Sequence, residues 1–367
     1  MDNAKACINN KMRKILILDS LYPEMIKVKN ETKNKLESEF FGTGKMYQYY
    51  LEKIGYKVEV EYFNYPKNFK NEKINRYIDY FSLTFGRLPK HLTFLQKYTK
   101  TFRRVRTTIN IFEPDVILIQ DLNYLNDFSV KYLKNRGIRI IGEIASPLPP
   151  TRMLINYDLI LSSLPNIVSR IQTHNIKSEI LPLGFDPRIN DILGIQIKKY
   201  DIIFIGSFSK VHKNTIKIVK EIAKNFPSFK FFGPIQKRIL IRHNLMPYYG
   251  GQAWGINMYR ILSQSKIVIN RHSEISDNYA NNLRLYEVTG VGSVLITENK
   301  KNIEELFKVD TEIITYDNME NLILKIRTTL ENTEKIKSLS VNAKKRTISE
   351  YNYEERMKQL SKIIDRI

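Results

Sequence analysis

The sequence has 367 residues, of which 43% are hydrophobic and 26% charged, so it is long enough to bury more than one core. Its single cysteine, Cys7, excludes an internal disulfide framework, and the five histidines lack metal-ligand spacing. No stretch offers the roughly 20 apolar residues of a membrane-spanning helix, and the N-terminal residues lack the pattern of a secretory signal. We expect a two-domain protein that works in the cytoplasm.

The charge is the strongest bulk signal, with a formal net charge of +21 and a pI near 9.7. Nucleic acid, an anionic membrane surface and a phosphorylated substrate are all compatible with it. The basic residues are spread along the chain, without zinc-ligand spacing, an aromatic ribonucleoprotein motif or a basic zipper. We therefore expect a phosphorylated small-molecule substrate and peripheral contact with the anionic inner face of the membrane, and no nucleic acid.

In the first half of the chain, short β-branched apolar runs alternate with longer amphipathic stretches. This alternation predicts a parallel sheet with crossover helices. The predicted strands are KILILDS, KVEVEYF, DVILIQD, IRIIGEI, LILSS and SEILPLG. The predicted helices between them cover 45–54, 90–111 and 128–136.

A second series of the same kind follows, which predicts a second α/β domain. Its strands are YDIIFIGS, FKFFG, KIVIN, SVLITE and EIITY. Its helices cover 212–225, 258–264, 282–288 and 318–331, and a charged helical region follows from Thr333. The two series meet between Phe185 and Tyr200, so we place the domains at 1–184 and 185–349.

The first candidate site follows the strand YDIIFI, because the carboxyl ends of parallel strands, where helices begin, bind phosphates. Gly206 permits a tight exit from the strand. The donors suited to a diphosphate are Ser207, Ser209, Lys210 and Lys213. An ordinary strand, loop and helix with Ser209 as the N-cap is the alternative interpretation.

The second candidate site lies in NRHSEISDNYANNLRLYEVTGVGSVLITE, where a helix begins near Asn281. Asn281, Arg284 and Glu287 then lie on neighbouring faces of its first two turns. Arg284 is positioned to pair with a phosphate, and Glu287 to accept hydrogen bonds from ribose hydroxyls. A buried Arg–Glu pair that holds the loop predicts the same sequence, so both interpretations remain open here.

Two further features have competing interpretations. Trp254, between Gly251 and Gly255, is suited to stacking on a base or sugar, or to acting as an aromatic wedge between elements. Gly42 and Gly44 imitate a dinucleotide fingerprint, but Tyr47 occupies the third glycine position, so NAD binding is not expected.

Several short motifs along the chain match one family in order. In the second half they are Trp254-Gly255, Met258-Tyr259-Arg260, Asn270, His272, YANNLRLYE at 279–287 and TGVG at 289–292. In the first half they are Tyr22-Pro23, Phe41-Gly42-Thr43, Gln120-Asp121-Leu122, IASPLP at 144–149, YDLILSSLP at 157–165 and LGFDP at 183–187. By these residues most of the chain resembles the spore-maturation-protein-like glycosyltransferases, a branch related to the large retaining glycosyltransferase group with the GT-B fold.

This resemblance implies two Rossmann-like domains that face each other across a cleft, with the donor nucleotide bound by the second domain. It also implies that the C-terminal helix, 350–367, crosses back onto the first domain, with Tyr351, Tyr353 and Met357 as its docking residues. Glu287 corresponds to the second of two glutamates that bind donor ribose and sugar in the larger group.

The chain departs from the larger group at two positions. Tyr279 stands where the first of the two glutamates is expected, which leaves the identity of the sugar open. Ser207 replaces an arginine that often contacts the diphosphate, so Lys210, Lys213 or Arg284 supplies that charge instead. Asn281 and Asn282 complete the expected donor site with Gly206, Trp254, Tyr279 and Glu287.

The implied reaction is transfer of a sugar from a nucleoside diphosphate sugar to a glycan, lipid or protein acceptor, with no cofactor. No Asp-x-Asp motif occurs, so we expect a metal-independent mechanism in which Arg284 stabilises the leaving diphosphate. His272 is a second candidate, as a donor contact or as a packed loop histidine. Glu143 and Asp121 follow strands and are candidate acceptor bases, although glutamine is common in the family at the Glu143 position.

Two other functions are compatible with the sequence. One is a non-catalytic module of the same fold that binds a nucleotide sugar or glycan, an option that Tyr279 keeps open. The other is a basic nucleic-acid-binding protein, whose affinity would fall steeply with salt.

Overall fold

The computed structural model describes residues 12–20, 39–40, 42–62, 100–122, 125, 127–208 and 214–367. Ser209, Lys210 and Lys213, and the first part of the helix predicted at 90–111, lie outside these residues.

The first domain is built on a six-stranded parallel sheet in the order β2-β1-β3-β4-β5-β6. Its strands are β1 (Lys14–Asp19), β2 (Lys57–Tyr62), β3 (Val116–Ile119), β4 (Arg139–Glu143), β5 (Leu159–Ser162) and β6 (Ser178–Ile180). The accompanying helices are α1 (Gly44–Lys53), α2 (Lys100–Phe112), α3 (Asp127–Lys134), α4 (Thr151–Leu154) and α5 (Pro165–Gln172). The next helix, α6 (Arg188–Leu193), lies after the predicted boundary and contacts the helix Gly255–Ser263.

The continuous apolar run of β1 is explained by helices and loops that cover both faces of the sheet. Ile15 and Ile17 enter one core, whereas Leu16 and Leu18 enter the core on the opposite face. All four side chains are fully buried. A strand enclosed in this way has no solvent face and therefore needs no polar alternation.

The second domain is built on a five-stranded parallel sheet in the order β11-β10-β9-β7-β8. Its strands are β7 (Tyr200–Ile205), β8 (Lys230–Phe232), β9 (Ser265–Asn270), β10 (Val294–Glu298) and β11 (Ile314–Tyr316). Its helices are α7 (Thr215–Asn225), α8 (Lys237–Arg242), α9 (Gly255–Ser263), α10 (Leu283–Gly290), α11 (Ile303–Leu306), α12 (Met319–Leu330) and α13 (Thr333–Glu350), and the last helix of the chain is α14 (Tyr353–Ile364).

All the predicted strands are present and parallel, so the predicted α/β fold is confirmed. The helices α4, α6, α8 and α11 were not predicted, because each has too few residues to show a helical period. The longer helix α5 was not predicted either. The charged C-terminal region, in which a terminal helix was expected at 350–367, consists of two helices, α13 and α14. Asn352 breaks it: its side chain accepts a hydrogen bond from the Glu355 amide at 2.9 Å and caps α14.

The C-terminal helix α14 packs against α1 of the first domain. The Phe185 amide donates to the Tyr351 carbonyl at 2.8 Å, and the Tyr353 amide donates to the Phe185 carbonyl at 3.0 Å. Further along, Lys53 Nζ lies 2.7 Å from Glu354 Oε2. One hydrophobic core continues from the first sheet through α14 into the second domain. The interface between the domains is therefore part of the folded core at this point.

Helices long and apolar enough to cross a bilayer do not occur in the described ranges.

Candidate functional site

Each sheet has one point where the strand order reverses, and ligands of open α/β sheets bind at the carboxyl ends of the strands there. In the first sheet the reversal lies between β1 and β3, because β2 is on one side of β1 and β3 on the other. In the second it lies between β7 and β9. Asp19 ends β1 and Gln120 follows β3, and Gly206 and Arg271 follow the second pair of strands.

At the first reversal point, Asp19 is 7% exposed and caps α1. Its Oδ1 accepts from the Ser20 amide at 2.6 Å, and its Oδ2 accepts from the Gly44 amide at 3.2 Å. A Cβ on Gly44 would lie only 2.6 Å from Asp19 Oδ2, so glycine allows this close approach. Burial raises the pKa of Asp19 to about 7, assisted by the negative charges of Glu143 and Asp121.

Glu143, a predicted acceptor base, lies at the end of β4 and accepts two side-chain hydrogen bonds. The Tyr47 hydroxyl donates to Oε1 at 3.0 Å, and Gln120 Nε2 lies 3.3 Å from Oε2. The same Gln120 amide also donates to Thr43 Oγ1. Burial raises the pKa of Glu143, and these two hydrogen bonds oppose the rise. The glutamate is therefore held by α1 and β3 in a fixed orientation.

Asp121, the second candidate base, follows Gln120 and is partly buried. Its charge acts on Tyr157, whose pKa is raised first by burial and then by Asp121. The Tyr157 hydroxyl is buried and has no hydrogen-bond partner among the described residues. The structure thus brings Asp19, Asp121 and Glu143 to one edge of the first sheet. Within the described residues, no three His, Cys, Asp or Glu side chains are grouped as metal ligands would be.

At the second reversal point, the chain passes through Gly206 in close contact with Gly233. The Gly206 amide donates to the Phe232 carbonyl at 3.1 Å. A Cβ on Gly233 would lie 2.0 Å from the Gly206 carbonyl oxygen, and the φ of Gly233 is +138°. Ser207 follows and is partly buried. The predicted contacts of Lys210 and Lys213 lie outside the described residues.

Beside this loop, α10 carries the predicted donor pair. Arg284 Nη1 lies 2.7 Å from Glu287 Oε2, with 15% and 8% of the two side chains exposed. The Tyr259 hydroxyl donates to Glu287 Oε1 at 3.3 Å, and Arg284 Nη1 lies 3.4 Å from Met258 Sδ. Both members of the pair therefore contact side chains of α9. A buried Arg–Glu pair is what the structural interpretation of the sequence predicted. Binding of a phosphate by Arg284 and of a ribose by Glu287 stays a prediction.

The two asparagines that precede α10 hold loops in place. Asn282 Nδ2 donates to Asn270 Oδ1 at 3.1 Å and to the Arg271 carbonyl at 3.0 Å. Asn281 Nδ2 donates to the Ser163 carbonyl across the cleft, on the first domain. Nearby, Asn166 Nδ2 donates to the Ile275 carbonyl at 3.0 Å. The loop before α10 thus touches the first domain directly.

His272 lies after β9 and is 2% exposed. Its Nε2 lies 3.1 Å from Thr297 Oγ1, and its amide donates to Glu298 Oε2 at 2.9 Å. Its Nδ1 is buried without a hydrogen-bond partner among the described residues. Burial, with the positive charges of Lys300 and Arg271, lowers the pKa of His272 to about 3. The ring is therefore neutral at physiological pH and packed between β9 and β10.

Trp254 and Tyr279 complete the predicted donor site. Trp254 is the residue before α9, and its Nε1 donates to Gln252 Oε1 at 3.2 Å. It lies one turn before Met258, which contacts Arg284. The Tyr279 ring lies 5.9 Å from Lys301 Nζ. Both aromatic residues are partly exposed.

Asp19, Tyr47 and Tyr259 were not assigned to the candidate site from the sequence. Asp19 ends a strand, as Glu143 does, so the strand-end rule that indicated Glu143 applies equally to it. Tyr47 and Tyr259 lie on helices, and only the tertiary packing brings their hydroxyls to Glu143 and Glu287.

A known protein family matches the part of the chain that carries Arg284 and Glu287. Residues 214–362 match the family model described as glycosyl transferase-like. This segment runs from the start of α7 into α14 and includes all of α9 and α10. No curated protein sequence matches the chain.

Solved structures are similar to the chain over nearly its whole length. Sucrose-phosphate synthase from Thermosynechococcus elongatus is 11% identical with a TM-score of 0.62, over 96% of this chain and 98% of its own. Anabaena HepE in complex with UDP-glucose is 13% identical with a TM-score of 0.61, over 96% of this chain and 100% of its own. A glycosyltransferase from Rickettsia africae is 14% identical with a TM-score of 0.55, over 96% and 97%.

These identities are low, so the likeness concerns the fold. Two parallel sheets with alternating helices form the two-domain α/β architecture of GT-B glycosyltransferases. The fold that the sequence predicted is confirmed.

Proposed function

We propose that the protein transfers a sugar from a nucleoside diphosphate sugar to a glycan, lipid or protein acceptor. The observation that carries this proposal is Arg284 in the first turn of α10, beside the reversal point of the second sheet. A positive side chain there opposes the helix dipole, and the first turn has no acidic residue. A bound diphosphate satisfies both the guanidinium and the unpaired amides of the helix N-terminus.

The donor nucleotide is proposed to lie between α10 and the loop after β7. Each Glu287 carboxylate oxygen has one partner, Arg284 or Tyr259, and each keeps a second lone pair for a ribose hydroxyl. The loop with Gly206 and Ser207 approaches from β7. UDP-glucose is the natural first probe, because HepE, with the same fold, has been solved with this nucleotide sugar.

Sugar transfer needs stabilisation of a departing diphosphate and of an oxocarbenium-like sugar, so cations and amides matter more than a strong nucleophile. Arg284 is proposed to neutralise the leaving group without a metal ion. Glu143, with its raised pKa, is proposed to face the acceptor from the first domain and to accept its proton. From the resemblance to the retaining group, we propose that the anomeric carbon of the transferred sugar retains its configuration.

The finer assignments are also proposals. A role in building a cell-envelope glycan is proposed from the resemblance of residues 254–307 to the spore-maturation-protein-like branch. The net charge of +21 suits work at the cytoplasmic face of an anionic membrane.

A non-catalytic binding module is the second candidate, and Tyr279 favours it because this residue replaces an expected sugar-binding glutamate. The two candidates differ in turnover. The purified protein is incubated with UDP-glucose, UDP-N-acetylglucosamine, GDP-mannose and ADP-glucose, and free nucleoside diphosphate is measured over hours. Slow donor hydrolysis supports the transferase. Donor binding without hydrolysis or transfer supports the module, and absence of binding by every donor contradicts both.

A further inference from the structure

Tyr353 is the point where the C-terminal helix touches both halves of the candidate site. It is the first residue of α14 and is 2% exposed. Its amide donates to the Phe185 carbonyl at 3.0 Å, which fixes the residue at the junction of the domains. Its ring packs edge-on against Tyr47, with 5.6 Å between centroids.

Through these contacts Tyr353 lies between the two functional glutamates. Tyr47, its ring neighbour, donates to Glu143 at 3.0 Å on the first domain. On the second domain, Tyr259 donates to Glu287 at 3.3 Å, and the Tyr259 ring packs against Phe185 with 6.2 Å between centroids. Burial raises the pKa of Tyr353, and the next largest contributions are the negative charges of Glu287 and Glu143. The two contacts of Tyr353, with Tyr47 and with Phe185, thus lead to Glu143 on one side and to Tyr259 and Glu287 on the other.

The hydroxyl of Tyr353 differs from those of its neighbours. The Tyr47 and Tyr259 hydroxyls each donate to a carboxylate. The Tyr353 hydroxyl makes no hydrogen bond with any described residue. The hydroxyl oxygen is not among the enclosed polar atoms that lack a partner, so it keeps some accessible surface although the residue is 2% exposed. A hydroxyl with accessible surface and no partner in the protein can donate to a ligand and accept from it.

We propose that the Tyr353 hydroxyl binds the transferred sugar of the donor. The inference rests on the proposed function, in which Glu287 holds the ribose and Glu143 faces the acceptor. The sugar must then lie between these two glutamates, which is where Tyr353 stands. The C-terminal helix thereby contributes a sugar-binding residue in addition to fixing the domains together. The glutamate expected to bind the sugar is replaced by Tyr279 in this chain. The Tyr353 hydroxyl supplies a polar contact to the sugar in its place.

The test compares Tyr353→Phe with the wild type by isothermal titration calorimetry, with UDP-glucose and UDP as separate ligands. If the wild type binds another donor better, GDP-mannose with GDP or ADP-glucose with ADP replaces this pair. The substitution keeps the ring and removes only the hydroxyl. We expect affinity for the nucleotide sugar to fall about three- to tenfold, as for one lost hydrogen bond, and affinity for the nucleoside diphosphate to change less than twofold.

The matched control is Tyr351→Phe, two residues earlier in the same crossing segment. The Tyr351 hydroxyl donates to the Leu306 carbonyl at 2.6 Å, so its loss should lower the melting temperature and leave both affinities unchanged. An unchanged affinity of folded Tyr353→Phe for the nucleotide sugar would overturn the inference. An equal loss of affinity for both ligands would also overturn it, since it would indicate a structural role. If the wild type binds no donor at all, the proposed function fails and the inference fails with it.

Discussion

The Arg284 guanidinium lies 2.7 Å from the Glu287 carboxylate, one turn apart on α10. The two side chains point to the same face of the helix, and Tyr259 from α9 holds the second carboxylate oxygen. The Asn282 side chain makes no cap hydrogen bond to α10, so the first amides of the helix are available to an anion. Its two members are expected to act on different parts of one ligand, and substitutions separate their roles.

Arg284→Ala is expected to lower the turnover number about 10²- to 10³-fold, because the charge it supplies matters most when the diphosphate departs. The Michaelis constant for the donor should change much less. Steady-state kinetics with the donor that the wild type uses measures both values. A large rise in the Michaelis constant with an unchanged turnover number would assign Arg284 to ground-state binding instead.

Glu287→Gln is expected to weaken nucleoside diphosphate binding about 10- to 100-fold, because hydrogen bonds to a charged acceptor contribute about 1.5–3 kcal/mol. Calorimetry with UDP measures the loss. The control is Asp201→Asn, which removes the carboxylate of the exposed pair between Asp201 and Lys266, 2.7 Å apart in the same domain. Equal affinities of the wild type and folded Glu287→Gln would leave the ion pair with a purely structural role.

Asp19→Asn is expected to stabilise the protein above neutral pH. The pKa of this carboxyl is about 7 in the folded protein, against an ordinary value of 3.8. The folded state therefore binds the proton more tightly, and ionisation of Asp19 lowers stability progressively as pH rises from about 4 to about 7. Three pKa units correspond to roughly 4 kcal/mol, from which about 1 kcal/mol is lost with one backbone hydrogen bond that asparagine cannot accept.

Urea unfolding at pH 5 and pH 8 measures this effect. The free energy of unfolding of the variant should exceed that of the wild type by about 3 kcal/mol at pH 8, and the difference should shrink at pH 5. Glu143 is present in both proteins, and its negative charge is one cause of the raised pKa of Asp19, so the comparison measures Asp19 together with its repulsion by Glu143. A variant that is less stable than the wild type at pH 8 would contradict the raised pKa.

Gly233→Ala is expected to destabilise the second domain by about 3 kcal/mol or more, because a Cβ would lie 2.0 Å from the Gly206 carbonyl oxygen. Gly251→Ala is the matched control. Gly251 also has a positive φ, +96°, but a Cβ there meets no atom within 4 Å, so only backbone strain is added. Thermal unfolding of the two variants separates the clash from the strain. Equal melting temperatures of the two variants would contradict the predicted clash between a Cβ at residue 233 and the Gly206 carbonyl oxygen.

The strands were predictable from the sequence because each is a short β-branched run buried in a parallel sheet, as KILILD of β1 illustrates. The exact start of α14 was not, since neither Gly nor Pro marks it: the terminal helix was expected from residue 350, and the Asn352 cap sets its start at Tyr353. The pair of Arg284 and Glu287 followed from helical spacing. The hydrogen bonds of Tyr47 to Glu143 and of Tyr259 to Glu287 join residues far apart in sequence, which no local pattern encodes.

A crystal structure of the protein soaked with UDP-glucose tests the account most directly. The diphosphate should lie at the N-terminus of α10 within hydrogen-bond distance of Arg284, with a ribose hydroxyl on Glu287. A nucleotide bound elsewhere, with the Arg284 and Glu287 side chains contacting only each other, would contradict the assignment of this site.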